Sequence, residues 1–472
     1  MKRSHVRLVP MFAVLAIAGT SLADDGSSDD GGWRMFNYDA MGTRHNLAEH
    51  TLSKSNVGGL KIEWQYATAG AVNATPVVAD GVVYVGDGAG NMYALTTTGT
   101  LVWQTKVNGP VSASATVHGD MLVFGDQGGY LYGLKRSTGA IVWSFRPDSN
   151  AVSAIWGSGT NVGPNVAIGV ASNEEFATQN PNYPCCSSRG SVVLLEPKTG
   201  NVIWQTFMVS DADKAAGAAG ASVWSSPTYD ADTKTIYVTT GNNFSGQTGM
   251  SEAFVALDSR TGAIRWVNQR TPLDTWNYRY PYSPGHVDAD FGDSPQIYRL
   301  PSGQKVVGAG QKSGFYHVLD AATGQLVNQL QVEPGGTLGG LFNDTAVADG
   351  VVYANGINWP GGNPTSGLPP TAGDLIAIAG DGSHELWRFD TPGSPDMTGV
   401  AVANGVVYFT SAIYGQLFAL DQTTGAKLAS VQISPQIGAW SGPAVVDGRI
   451  YVGTGIIFGT TNVPGGITAL GL

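Results

Sequence analysis

Between Glu174 and Lys312 the chain gathers the side chains best suited to chemistry. They are the acidic pair Glu174 and Glu175, the adjacent cysteines Cys185 and Cys186, and Arg189, Trp224, Asn242, Asp274, Asn277 and Lys312. The two cysteines are the only ones in the sequence. Neighbouring Cα atoms sit about 3.8 Å apart across a trans peptide, short of the usual disulfide span of about 4.4 to 6.8 Å, so a bond between them is strained. An exported protein can still form it. The other reading is a reduced pair of small apolar residues. The carboxylates and amides carry oxygen donors, and Arg189 and Lys312 carry fixed positive charge. Taken singly, each of these charged residues reads as ordinary surface charge.

These residues fall where a regular pattern is interrupted. A short apolar strand, a small polar turn ending in Thr-Gly or Gly, and a second strand carrying a Trp recur at Ala94 to Trp103, Gly133 to Trp143, Leu194 to Trp204 and Ala256 to Trp266. Eroded copies follow at Leu319 to Asn328, Ala377 to Trp387 and Ala419 to Ala429. Two more strands precede each copy, as in Ala74 to Val78 and Gly81 to Gly86, with the period-two alternation of half-buried antiparallel β structure. Each unit is thus a four-stranded meander. Four strands cannot cover both their faces, and the radial solution to that problem is a propeller. The eighth unit comes from the two ends, Gly466 to Leu470 giving a third strand and Leu60 to Trp64 the missing Trp strand. The predicted fold is all-β, an eight-bladed β-propeller of four-stranded antiparallel blades closed by pairing of the terminal strands. A sandwich or a solenoid explains neither half-unit. A Trp at one fixed place per repeat reads as packing between blades.

Composition agrees with turn-dense β structure. Charged residues make up 13%, roughly half the usual share of about 25%, and 65 glycines are about twice the ordinary frequency. The net charge of −11 is spread thinly and no basic stripe is present, which argues against nucleic acid as a partner. Lys2, Arg3 and Arg7, the apolar run Leu8 to Ala18 and Ser21-Leu22-Ala23 form a secretory signal over residues 1–23. The apolar run is too short to span a bilayer, so no membrane span is expected. Residues 24–32, all Asp, Ser and Gly, read as a disordered leader, and 33–472 as one propeller domain of a secreted or periplasmic protein.

Five segments in order resemble the pyrroloquinoline quinone (PQQ) alcohol dehydrogenases: Cys185-Cys186-Ser187-Ser188-Arg189-Gly190, the run from Trp224 to Asn242, Asp274-Thr275-Trp276-Asn277, Asp288-Ala289-Asp290-Phe291-Gly292, and Gly310-Gln311-Lys312-Ser313-Gly314. The resemblance covers nearly the whole mature chain. It is closest to the polyvinyl alcohol dehydrogenases, because residues 172–193 place the cysteine pair between acidic residues and Arg-Gly. It implies a quinone lying between the Trp224 indole and a Cys185–Cys186 disulfide, with Arg189 and Lys312 meeting its carboxylates and quinone oxygens. It also implies a calcium ion held by Glu174 and Asn242, with the choice of Glu174 over Glu175 open by one position.

The implied reaction is oxidation of an alcohol, polymeric or secondary alcohols being the substrates of the most similar branch. One departure stands out. The larger alcohol dehydrogenases carry Trp-Asp where this chain has Trp276-Asn277, and an amide is no general base. Asn277 is left with its carbonyl oxygen for the metal, and Asp274 becomes the candidate base, with a merely orienting or turn-capping role as its alternative. No Cys-x-x-Cys-His is present, so electrons are expected to pass to a soluble cytochrome c. The Gly and Pro-rich stretch Gly356 to Pro370, with Trp359, reads as a pocket loop suited to an open cleft. A competing reading is a non-catalytic periplasmic propeller serving as a binding or assembly scaffold, and a third is an enzyme of the same fold acting on sugars or small primary alcohols.

Overall fold

Short runs of Val, Ile, Tyr and Phe form ladders because branched and aromatic side chains pack well on a pleated face, and the glycine turns between them reverse the chain. The structure, a computed structural model, describes residues 32–472 apart from 281, 282, 284, 337, 338, 342, 359–372, 397, 435–437, 456, 459, 460 and 463. The signal segment, nearly all of the leader and most of the loop that carries Trp359 lie outside the described residues.

Eight antiparallel sheets follow one another in chain order. The first is built of Val77–Ala79, Val82–Gly86, Asn91–Thr96 and Leu101–Lys106. Its innermost strand is three residues long and wholly buried, and its outermost is largely exposed. The innermost strands touch in sequence and the last returns to the first, so the sheets stand as blades around a closed axis. The innermost strand of the first blade begins three residues later than the pattern suggests, at Val77. Pro76, which precedes it, has no N–H to give a ladder. Closure is as expected: Lys61–Ala67 pairs with Gly466–Gly471 in the register Ile62 to Leu470 and Tyr66 to Ile467.

The tryptophans join neighbouring blades. The Trp64 indole N–H donates to Thr97 O (2.9 Å), Trp103 to Arg136 O (2.8 Å), Trp143 to Pro197 O (2.8 Å) and Trp204 to Ser259 O (3.1 Å), each acceptor lying in the next blade. The Thr-Gly of the next repeat lies against the ring. A Cβ on Gly99 would stand 2.7 Å from Trp64 and one on Gly262 2.7 Å from Trp204, and both glycines have positive φ. The spacing of Gly and Trp in the repeat is therefore a contact between blades.

The segment 33–46, which carries no repeat signal, runs across the end of the propeller where the innermost strands finish. Trp33 exchanges two backbone bonds with Val78 at 2.8 Å, and Arg34 O accepts from Val117 N (2.9 Å). Ala40, Met41, Thr43 and Arg44 carbonyls accept from Tyr229, Ile297, Val347 and Val402 N–H at 2.7 to 2.9 Å. The Asn46 amide donates to Val445 O (2.7 Å). Seven blades thus have inner-strand groups satisfied by this one segment, which closes that end of the axis.

Candidate active site

On the other side of this plug lies a cavity of about 550 Å³. Its wall takes one or more residues from the loop entering the innermost strand of every blade, among them Asn73, Ser112, Trp156, Trp224, Asp290, Asn343, Thr398 and Trp440, and Phe36 of the N-terminal segment joins them. Inner-strand N–H groups at this level lack ladder partners and are satisfied by the next blade's side chain. Ser114 N donates to Ser158 Oγ (2.8 Å), Ser158 N to Ser226 Oγ (2.9 Å), Ser226 N to Ser294 Oγ (3.0 Å) and Ser294 N to Asp344 Oδ1 (3.2 Å). Arg44 completes the ring, donating to Val400 O at 2.5 Å and Phe36 O at 2.6 Å in space left by Gly399 and Gly442. Burial lowers its pKa to about 10 against the charges of Asp344 and Asp293.

The chemistry collects on one side of the cavity. Lys312 Nζ donates to Asp288 Oδ1 and Oδ2 (3.0 and 3.1 Å) and to Asp290 Oδ2 (3.1 Å), and stands 5.5 Å from the Trp224 ring centroid. Asp290 Oδ1 accepts the N–H of Asn242. Gly241 makes this approach possible, since a Cβ there would lie 2.7 Å from Asp290 Oδ1 and 3.2 Å from Trp224 Nε1. Glu175 faces the same cavity. Burial pushes Glu175 up to about 7 and Asp288 well above the usual carboxylate range; Lys312 opposes the rise in both and Asp290 adds to it. Burial alone would lower the proton affinity of Lys312, but Asp288, Asp290 and Glu175 outweigh it and keep the ammonium charged. Three carboxyls around one buried ammonium leave negative charge uncompensated, which protons or a bound cation must offset.

The sequence-derived site residues separate into two groups. Trp224, Asn242 and Lys312 line the cavity, and Trp276 and Tyr278 flank Asn277 there. The others stand behind or beside it. Cys185 and Cys186 are disulfide-bonded and are not among the lining residues, and the Asn277 amide lies 3.8 Å from Cys185 Sγ. Asn277 Nδ2 also donates to Phe244 O (2.8 Å), and its Oδ1 accepts from Arg279 N (3.0 Å).

Glu174 is fully buried and spends both oxygens on the cysteine loop, accepting from Tyr183 Oη (2.8 Å), Ser187 N (2.8 Å), Ser187 Oγ (3.1 Å) and Ser188 N (2.7 Å). Of the two adjacent glutamates it is Glu175 that reaches the cavity. Arg189 points away, donating to Val209 O (2.7 Å), pairing with Asp211 (2.9 Å) and lying over Phe207. Asp274 is buried outside the lining, accepting from Val287 N (2.8 Å) and Ala289 N (3.3 Å). Asp288 and Asp290 were visible as part of a motif, but Asp-Ala-Asp by itself assigns no role to either.

The cavity suits a flat, oxygen-rich guest accompanied by a cation. It offers indole faces, that of Trp224 beside the Lys312 ammonium, and two polar atoms that are nine-tenths buried without a partner among the described residues, Trp276 Nε1 and Ser222 Oγ. The Asn242 amide N–H₂ is spent on Asn243 O (2.9 Å) and Trp276 O (2.6 Å), leaving its Oδ1 for a ligand. Among the described residues no three His, Cys, Asp or Glu side chains stand ready-grouped around a metal. The family PQQ_2, described as outer membrane protein assembly factor BamB, matches residues 51–272 and 371–465.

The chain belongs to the PQQ_2 family.

Other similarities place this PQQ_2 propeller beside quinoproteins. It is 27% identical to a polyvinylalcohol dehydrogenase of a Pseudomonas species over 86% of this chain and 70% of the relative. It is 24% identical to the quinohemoprotein alcohol dehydrogenase of Comamonas testosteroni over 90% of this chain and 73% of the relative. Its fold matches a europium-containing methanol dehydrogenase with a TM-score of 0.77 at 17% identity, covering 95% of this chain and 99% of the other.

Proposed function

We propose that this PQQ_2 propeller is a quinoprotein alcohol dehydrogenase that oxidises an alcohol in the axial cavity and passes electrons to a separate cytochrome c. The observation that carries the reading is the buried set Lys312, Asp288 and Asp290 beside Trp224, with the half-buried Glu175 facing the same cavity, which blade packing alone does not require. When bound, pyrroloquinoline quinone supplies the two-electron acceptor, and a calcium ion next to it supplies Lewis acidity.

The protein's part is to bind, orient and move a proton. Trp224 gives the flat wall, and Lys312 gives fixed positive charge where negative charge grows on an acceptor oxygen. Glu175 and Asn242 Oδ1 are the oxygens for the metal, with Asn277 behind them and Glu174 holding the adjoining loop. The alcohol proton goes to the carboxylate of Asp288, which lines the cavity and is held by the Lys312 ammonium. Phe176, Trp276 and Tyr278 give the cavity an aromatic wall that keeps water from the carbinol carbon. The names of the relatives support an alcohol as substrate, and that of a lupanine 17-hydroxylase (cytochrome c) of a Pseudomonas species supports a cytochrome as acceptor. The signal sequence supports a periplasmic or secreted location. No helix among the described residues is long and apolar enough to cross a membrane.

One observation favours a second reading, a non-catalytic assembly scaffold: the matching family is that of the outer membrane protein assembly factor BamB. Equilibrium dialysis with pyrroloquinoline quinone, with and without calcium, separates the two, followed by dye reduction over primary, secondary and polymeric alcohols. Calcium-dependent binding that Trp224→Ala weakens supports the enzyme. A protein that binds no quinone under either condition is the scaffold.

A further inference from the structure

The loop that delivers Asp288 to Lys312 rests on a second pair of acids that the reaction does not use. Asp288 adopts positive φ, +55°, in the left-handed region that aspartate enters more readily than most residues. Beside it are two buried carboxyls. Val287 N donates to Asp274 Oδ1 (2.8 Å), and Ala289 N is shared between Glu252 Oε1 (3.1 Å) and Asp274 Oδ2 (3.3 Å). The N–H groups on both sides of Asp288 are thereby fixed. Glu252 is 0% and Asp274 1% exposed, and the two carboxyls meet at one shared donor, Ala289 N, with Glu252 Oε2 left without a hydrogen-bond partner among the described residues. Two buried carboxyls brought this close, with no cationic side chain of the described residues between them, are accommodated when one of them keeps a proton. The charged groups facing Glu252 are Asp274, Asp288 and Asp290, all acidic, and the nearby ammonium of Lys312 is already held by the last two.

We propose that Glu252 and Asp274 are a positioning pair, a neutral acid beside a carboxylate, that clamps the backbone around Asp288 and so sets where the Asp288 carboxylate stands against Lys312 and the substrate. This deepens the alcohol dehydrogenase reading and rests on it. Glu252 is the member that keeps the proton. Burial and the three acidic neighbours, Asp274 foremost, all raise its proton affinity well above the ordinary carboxyl range. Asp274 is the member that accepts from two backbone donors, Val287 N and Ala289 N.

The test exploits that asymmetry. Glu252→Gln keeps the size, the neutrality and an oxygen for Ala289 N, whereas Glu252→Leu keeps the volume alone. In the holoenzyme, Glu252→Gln should hold kcat within about twofold of wild type. Glu252→Leu should lower kcat roughly 10- to 100-fold with KM for the alcohol little changed, since it displaces a base and leaves binding intact. Independently of turnover, the infrared difference between wild type and Glu252→Gln at neutral pH should show one protonated-carboxyl band lost in the variant. A Gln variant as impaired as the Leu variant, a Leu variant with wild-type kcat, or no carboxyl band in the difference spectrum overturns the proposal. If Glu252→Leu does not fold, the Gln variant and its spectrum decide. A wild-type protein that oxidises no alcohol but shows the band would leave the clamp standing and remove the enzymatic reading.

Discussion

The ammonium of Lys312 is bracketed by both carboxylate oxygens of Asp288, at 3.0 and 3.1 Å, in a position where neither residue is in free contact with water. A buried pair of this kind gives little net stability against an apolar substitute, because desolvation cancels most of the attraction. Its value lies in placing one charge of each sign beside the Trp224 ring. The remaining acids of the cavity then make the site strongly receptive to a cation.

Removing the ammonium leaves Asp288 and Asp290 buried without a partner. Lys312→Met should lower stability by about 3 to 5 kcal/mol unless the acids take up protons. It should also abolish alcohol-dependent dye reduction. Thermal unfolding at neutral and at acid pH checks both parts: the stability deficit should shrink at acid pH, where the carboxyls are neutral.

Glu174 organises the disulfide loop from behind the cavity. Glu174→Ala deletes four accepted hydrogen bonds and should cost about 3 kcal/mol, with faster proteolytic cleavage between Thr178 and Arg189. Quinone affinity should fall less than in Glu175→Ala, because Glu175 is the glutamate that faces the cavity. Equal affinities in the two variants would assign the two glutamates wrongly.

His317 gives the fold an acid limit. It is buried, its ring bonds Gln311 Oε1 at 3.0 Å, and burial together with the charge of Arg270 lowers its pKa to about 3. The unfolded chain takes up a proton near pH 6.5, before the native state does. The contribution is therefore full above about 6.5 and is lost as pH falls towards 3, up to about 5 kcal/mol in all. His317→Gln should flatten this limb of the stability profile relative to wild type in denaturant titrations across that window. An unchanged slope would mean that the imidazole is already protonated in the native protein.

Much of the architecture was legible because repetition repeats its physics. Every Gly-to-Trp interval is the same contact between blades, so Gly99 with Trp64 and Gly262 with Trp204 announce themselves together. The plug at residues 33–46 left no such trace, since its bonds to six of the seven blades run through backbone atoms that any residue would carry, with Asn46 alone reaching the seventh through its side chain. The site divides in the same way. Trp224, Asn242 and Lys312 stand at fixed places on their blades and reach the cavity. Glu174 and Glu175 are neighbours, and a four-residue helix, Glu174–Ala177, decides which one turns inward. Arg189 sits in the expected motif, yet the carbonyl of Val209 and the carboxylate of Asp211 hold it away from the cavity. In the sequence Asp274 stands out because Asn277 supplies no acid. Three-dimensional placement shows acids already present at Asp288 and Asp290.

The most direct test compares wild type with Asp288→Asn, both loaded with pyrroloquinoline quinone and calcium, in steady-state oxidation of an alcohol the wild type accepts. The account predicts turnover lowered by about 100-fold or more in the variant with quinone affinity within a few-fold of wild type. Wild-type turnover in Asp288→Asn, or an absence of alcohol-dependent turnover in the loaded wild-type protein, would contradict it.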